Sequence, residues 1–215
     1  IIGPTIAASA DGRKCALPMS LGNSPTPGSD ISGLTAMLAS AANSSHRANG
    51  GYVKNMEEFV FIDGVLEAFE IFARLFDTIV VVTNQQGIGK GIMSEEEFAI
   101  ISKHMTEEIK RAGGKLDAIF HCPSLNKEKP FDRKPSVGMG LKAKKQFKQI
   151  CFKDSIMVGD SLSDLVFGKR LGMHTVHISD TNTEARNHPK RIDFRFNNLL
   201  EFAKFIEYEK NNTNK

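Results

Sequence analysis

A chain of 215 residues, 40% hydrophobic and 25% charged, has room for one α/β domain with a real core. Its formal net charge of +3 is too small to argue for nucleic acid or a membrane surface, and no apolar run is long enough for a membrane span. Cys15, Cys122 and Cys151 lie far apart with no CxxC pair, which is neither a disulfide framework nor a zinc ribbon; with no signal-peptide pattern at the start, a reduced, cytoplasmic setting is the default expectation.

The average hides a break near position 50. Residues 1–50 hold none of the 15 Phe and only two acids, Asp11 and Asp30, while Ala, Ser, Gly and Pro supply 27 of the 50. That composition predicts a low-complexity, poorly ordered leader. Within it, Thr5–Ala8 is a candidate strand and Ile31–Ala42 a weak helix through Leu34, Met37, Leu38 and Ala41. Residues 51–210 are patterned as an enzyme domain, and 211–215 as a tail.

Val65, Phe69, Phe72 and Phe76 recur at helical spacing and predict a helix ending near Phe76. The strand Thr78–Thr83 follows, with Ile79-Val80-Val81-Val82 apolar on both faces, as in the middle of a parallel sheet. Ser94 and Glu97 form a capping box for a helix whose stripe is Phe98, Ile101, Met105 and Ile109. Gly113-Gly114 stops it, and Leu116–His121 is the next strand. Pro135 opens a helix to about Ile150, with Leu141 and Phe147 inward. Ile156–Gly159 is a strand, Leu162–Leu171 a helix, His174–Ile178 a strand, Ile192–Phe194 a last strand and Asn198–Glu209 a closing helix. Strand alternating with helix implies a doubly wound, Rossmann-like parallel sheet.

In such sheets ligands bind outside the carboxyl ends of the strands. Thr83 stands at one such end, followed by Asn84, Gln85, Gln86 and a glycine-rich turn. Arg133-Lys134 follows a second strand by a loop, and Gly159-Asp160 ends a third. A hydroxyl, a cationic pair and a carboxylate at one edge suit a phosphate ester with a hard divalent cation, Mg²⁺ being the natural one at Asp160.

These motifs carry a resemblance. Gly51-Tyr52-Val53, Phe59-x-Phe61-Ile62-Asp63-Gly64-Val65, Val82-Thr83-Asn84-Gln85-x-Gly87-Ile88-x-x-Gly91, Arg133-Lys134-Pro135 and Met157-Val158-Gly159-Asp160-x-x-x-Asp164 resemble, in order and spacing, the haloacid-dehalogenase-like (HAD-like) phosphatases. The nearest likeness is to the heptose 1,7-bisphosphate 7-phosphatases and the related histidinol phosphatases, over about Gly51 to Phe205. It implies a HAD-like fold without a large cap domain and a small phosphorylated sugar as substrate. It also implies that Thr83 and Lys134 stabilise the transferring phosphoryl group and that Asp160 ligates Mg²⁺. Arg133, Asn84, Gln85, Gln86 and Tyr52 would contact substrate.

Two departures follow. The loop from Pro123 to Asp132, where many family members hold zinc, offers only Cys122 at its edge, so no zinc is expected. The family's Asp-x-Asp-Gly-Thr motif, which supplies nucleophile and general acid/base, is missing. An ungapped alignment puts Ala41-Ala42-Asn43-Ser44-Ser45 there, and Asp11 in Ser9-Ala10-Asp11-Gly12 is a look-alike about 30 residues too early. With one carboxylate left, Mg²⁺ is expected to bind weakly. The missing motif coincides with the composition break, which points to a shifted reading frame, a mis-set start or exon, or a junction; the alternative is a divergent paralogue with a disordered leader. The leading reading is a phosphatase by descent. A catalytically inactive phosphate-binding module is the second. A polynucleotide 3′-phosphatase, which has a similar Thr-Asn-Gln segment, is the third, and the weak net charge argues against it.

Overall fold

Strand β2 (Phe76–Asn84) is buried at every position from Thr78 to Thr83, as its run of β-branched residues predicts. The computed structural model describes residues 34–38, 53–178, 185 and 187–213. The candidate strand at 5–8, Asp11 and Tyr52 lie outside the described residues. β2 pairs with β1 (Leu34–Leu38) on one side and β3 (Ala118–Cys122) on the other. Beyond β1 lie β4 (Ser155–Gly159), β5 (His174–Ile178) and β6 (Phe194–Phe196). The six strands run parallel in the order β3-β2-β1-β4-β5-β6.

Helices cover both faces. On one face, α1 (Val65–Leu75), α3 (Glu95–Arg111) and α6 (Leu199–Thr213) pack against Ile79 and Val81 of β2, Ile156 and Val158 of β4, and Val176 of β5. On the other, α4 (Gly138–Gln146) and α5 (Leu162–Leu171) close over Val80, Val82 and Met157. Alternate residues of β2 and of β4 thus feed opposite cores. Phe72, fully buried, makes edge-to-face contact with Phe69 and Phe76 and a tilted contact with Phe202, joining α1 to α6. α5 approaches β4 and β5 closely because Gly168 has no side chain; a Cβ there would stand 2.7 Å from Met157 Cβ and 2.8 Å from Thr175 Cγ2.

Three expectations change. Residues 34–38 are the central strand of the sheet, where the sequence suggested a weak helix across 31–42. Five residues are too short for periodicity to choose a conformation. The slot between β2 and β4 decides instead, because the backbone groups facing it need a ladder partner. The sheet therefore begins inside the stretch that composition marked as leader. Second, α4 starts at Gly138, later than Pro135, and its inward positions are Met139, Gly140 and Ala143. Leu141 points outward and is exposed. Third, the last strand is Phe194–Phe196, with Asp193 just before it, its backbone N–H donating to Thr175 O (2.9 Å) and its carboxylate bound by Lys169.

That carboxylate knits the amino end of β5. Asp193 accepts from Lys169 Nζ (2.6 Å) and Thr175 N (2.8 Å). Burial pushes its pKa up, but the Lys169 ammonium and the Thr175 donors outweigh that and hold it below the usual 3.8. Next to it, His174 is pulled below its usual 6.5, chiefly by burial; Asp193 opposes the shift and Lys169 adds to it. Both groups bind protons more readily unfolded, so both make stability fall as pH falls. The His174 contribution is present above 6.5 and is lost on acidification from there; the Asp193 contribution is lost below 3.8. Urea titrations between pH 7.5 and 5 should show declining stability in the wild type. A shallower slope is expected for His174→Gln, which cannot take up the proton.

Candidate active site

The chain winds outward from β1 through β2 to β3, then returns across β1 to build β4, β5 and β6. This makes a topological switch point beside β1, where parallel α/β sheets open a crevice. In register, Leu38 of β1 aligns with Val81 and Val158. Two residues beyond that level stand Thr83 on β2 and Asp160, directly after β4. The two strand ends singled out from sequence therefore share one edge.

Lys134 reaches this edge from the loop before α4 and is almost wholly buried. Its Nζ donates to Val82 O at 2.8 Å and lies 2.7 Å from Asp164 Oδ1. Both side chains of that ion pair are only 3% exposed. A cation desolvated this fully is tolerated because it is paired and hydrogen-bonded. The loop is fastened from β2 as well. Asn84 Nδ2 donates to Lys134 O (3.1 Å), and Lys134 N donates to Asn84 Oδ1 (3.0 Å). Gln85, the N-cap of the short helix α2 (Gln86–Gly89), turns inward, and its Nε2 donates to Thr83 Oγ1 at 2.9 Å. Its backbone N–H donates to Cys122 O (2.8 Å), tying β2 to β3. Arg133 donates to Ser124 O (3.1 Å), and Gln86 Oε1 lies 3.4 Å from its other terminal nitrogen. Arg133 thus bridges the loop after β3 to α2.

Sequence reasoning placed Asp164 in a motif without giving it a part. The structure gives it two. One carboxylate oxygen meets Lys134; the other accepts from Ser161 N (3.1 Å) and Ser161 Oγ (2.7 Å), completing a capping box at the start of α5. The readable signal was Ser161-x-x-Asp164, a capping pattern directly after a strand. Gly159 makes room for it: a Cβ there would lie 2.4 Å from Asp164 Cβ.

The donor set has consequences for a metal. Among the described residues no three His, Cys, Asp or Glu side chains cluster as a cation site. Asp164 already serves Lys134 and Ser161, and Asp160 stands directly after β4 at the same edge, where it would be the carboxylate to hold a cation. One carboxylate plus substrate phosphate and water fits the coordination habit of Mg²⁺, at low affinity for the ion alone.

Removing one partner of the buried pair should be costly. Asp164→Ala is expected to destabilise the fold by about 3–5 kcal/mol, because the buried Lys134 ammonium loses the carboxylate 2.7 Å from it. Asn84→Asp can still accept from Lys134 N but cannot donate to Lys134 O, which should cost about 1–3 kcal/mol. Chemical denaturation of each variant against the wild type checks both values.

A family model described as HAD-hydrolase-like matches residues 131–202. The chain is 36% identical over 158 residues to the D-glycero-alpha-D-manno-heptose-1,7-bisphosphate 7-phosphatase of Campylobacter jejuni, an overlap of 73% of this chain and 87% of that protein. It is 39% identical over 124 residues to the D-glycero-beta-D-manno-heptose-1,7-bisphosphate 7-phosphatase of Haemophilus influenzae, covering 55% of this chain and 67% of that one. Its fold is shared with the D,D-heptose 1,7-bisphosphate phosphatase from B. bronchiseptica, solved with magnesium and phosphate: TM-score 0.67, 22% identity, 79% of this chain and 93% of that one. A HAD-like phosphatase from Mesorhizobium loti matches with TM-score 0.59 at 20% identity, over 97% and 96% of the two chains. The motifs, the strand order and these relatives agree: the chain belongs to the HAD-like phosphomonoester hydrolases, in the family of the heptose 1,7-bisphosphate 7-phosphatases.

Proposed function

We propose that this chain keeps the phosphate-ester recognition half of a Mg²⁺-dependent heptose-bisphosphate phosphatase and, as written, hydrolyses such esters very poorly. The observation that carries the reading is a contrast at one edge of the sheet. The phosphoryl-handling groups are assembled: Lys134 is clamped beside β2, with Thr83 and Asp160 at the neighbouring strand ends. The strand between them, β1, is Leu34-Thr35-Ala36-Met37-Leu38, and the sequence has no Asp or Glu between Asp30 and Glu57.

Covalent hydrolysis needs a carboxylate within reach of phosphorus and a second acid to protonate the leaving oxygen. Groups that stabilise the transition state, such as Thr83 and Lys134, act only on a transition state that is reached. Asp160 would hold Mg²⁺ together with a phosphate oxygen; the ion would neutralise phosphate charge. The relatives' names make a heptose 1,7-bisphosphate the first ester to try.

Phosphate release from a heptose 1,7-bisphosphate with Mg²⁺ tests the proposal, alongside binding of inorganic phosphate by calorimetry. Phosphate binding without appreciable turnover is expected, with Mg²⁺ binding weaker than micromolar alone and tighter when phosphate is present. Replacing residues 1–49 by a strand ending in Asp-x-Asp-Gly-Thr should restore hydrolysis. Lys134→Ala in that restored protein should then lower the rate by about 10²–10³-fold. Turnover at ordinary enzyme rates by the unaltered chain would overturn the reading and make Asp11 the first acid to replace.

A further inference from the structure

We propose that Gln85 is a positioning residue that sets the direction of the Thr83 hydroxyl, so that Thr83 donates its proton to a phosphoryl oxygen. This deepens the proposed phosphate-ester site and rests on it. A hydroxyl has one proton to give and two lone pairs to receive with. Gln85 Nε2 stands 2.9 Å from Thr83 Oγ1, and an amide NH₂ can only donate. Thr83 therefore accepts from inside the protein, which leaves its own proton for an acceptor outside the pair. An anion approaching the strand end supplies that acceptor.

Both side chains are held inside the protein. Gln85 is 2% exposed and Thr83 1% exposed, so neither side chain swings into solvent. The Gln85 backbone N–H is fastened to Cys122 O across the strand boundary. With the amide turned over, Oε1 would take the Thr83 proton and leave only lone pairs facing the anion, which repel it. The choice of Gln over Glu matters for the same reason. A carboxylate has the same shape and is acceptor-only when ionised. Gln85, like Asn84 at Lys134, then works on a phosphoryl-handling group and does not itself touch the substrate.

Two measurements test this. The first needs no ligand. In ¹⁵N-labelled protein, one Gln side-chain NH₂ pair should be slow to exchange, vanish in Gln85→Met, and shift when Thr83→Val removes its acceptor. An unmoved Gln85 resonance in Thr83→Val overturns the inference. The second reads inorganic phosphate affinity. Gln85→Glu should weaken binding by about tenfold or more at neutral pH. Lowering the pH should recover much of that affinity in Gln85→Glu, as the introduced carboxylate takes up a proton and can donate again. Gln85→Met should lose only a few-fold. In a Thr83→Val background, Gln85→Glu should cost clearly less, because no hydroxyl remains to be turned. Equal losses with and without the Thr83 hydroxyl mean a simple charge effect and reject the positioning role. Wild-type protein that binds no phosphate, with the resonance shift intact, counts against the proposed function alone.

Discussion

A charged ammonium held away from water is the constraint from which the rest of this site follows. Lys134 is bound to the β2 backbone through Val82 O and to α5 through Asp164. Its own backbone is gripped by the Asn84 carboxamide. An unpaired charge at this depth would cost several kcal/mol, and these partners offset that cost. Two other features then acquire a reason. Gly159 cannot carry a side chain, because Asp164 occupies the space a Cβ would fill. Ser161 caps α5 because the carboxylate oxygen not used by Lys134 needs donors of its own.

Structural stability and chemistry are separable at this edge. The strand β1 is the centre of the sheet, with β2 on one side and β4 on the other. Its contribution to the ladder comes from backbone groups, which any residue except proline supplies in full. A sheet can therefore keep its topology whatever side chains follow that strand. On the proposed reading, this is how a phosphatase fold persists, with its phosphoryl-handling half assembled, in a sequence without the aspartyl motif.

Some of the expectations differ from the structure for reasons that are physical and local. A five-residue apolar stretch such as Leu34–Leu38 matches a helix stripe and a buried strand equally well, and only the unfilled slot between β2 and β4 separates them. Leu141 reads as inward if the helix starts at Pro135; starting it at Gly138 and seating Met139 and Ala143 in the core turns Leu141 to solvent. Asp164 reads as a motif position near the start of a helix with no part of its own, because nothing in the sequence shows that a lysine 30 positions earlier will be buried against it.

Legible in the amino-acid order alone were the element types with long periodic patterns, the parallel sheet they imply, and the succession of Thr83, Arg133-Lys134 and Asp160 along it. Those follow from local propensity and from hydrophobic period, which act over a few residues at a time. Which groups face one another emerged only from the folded chain: Lys134 with Asp164, Asn84 with the Lys134 backbone, Gln85 with the Thr83 hydroxyl. Two of these pairings span 30 and 50 positions of chain, and the third depends on Gln85 being anchored to Cys122 on β3. Such contacts form because burying a polar group demands a partner, and the fold alone decides which partner is within reach.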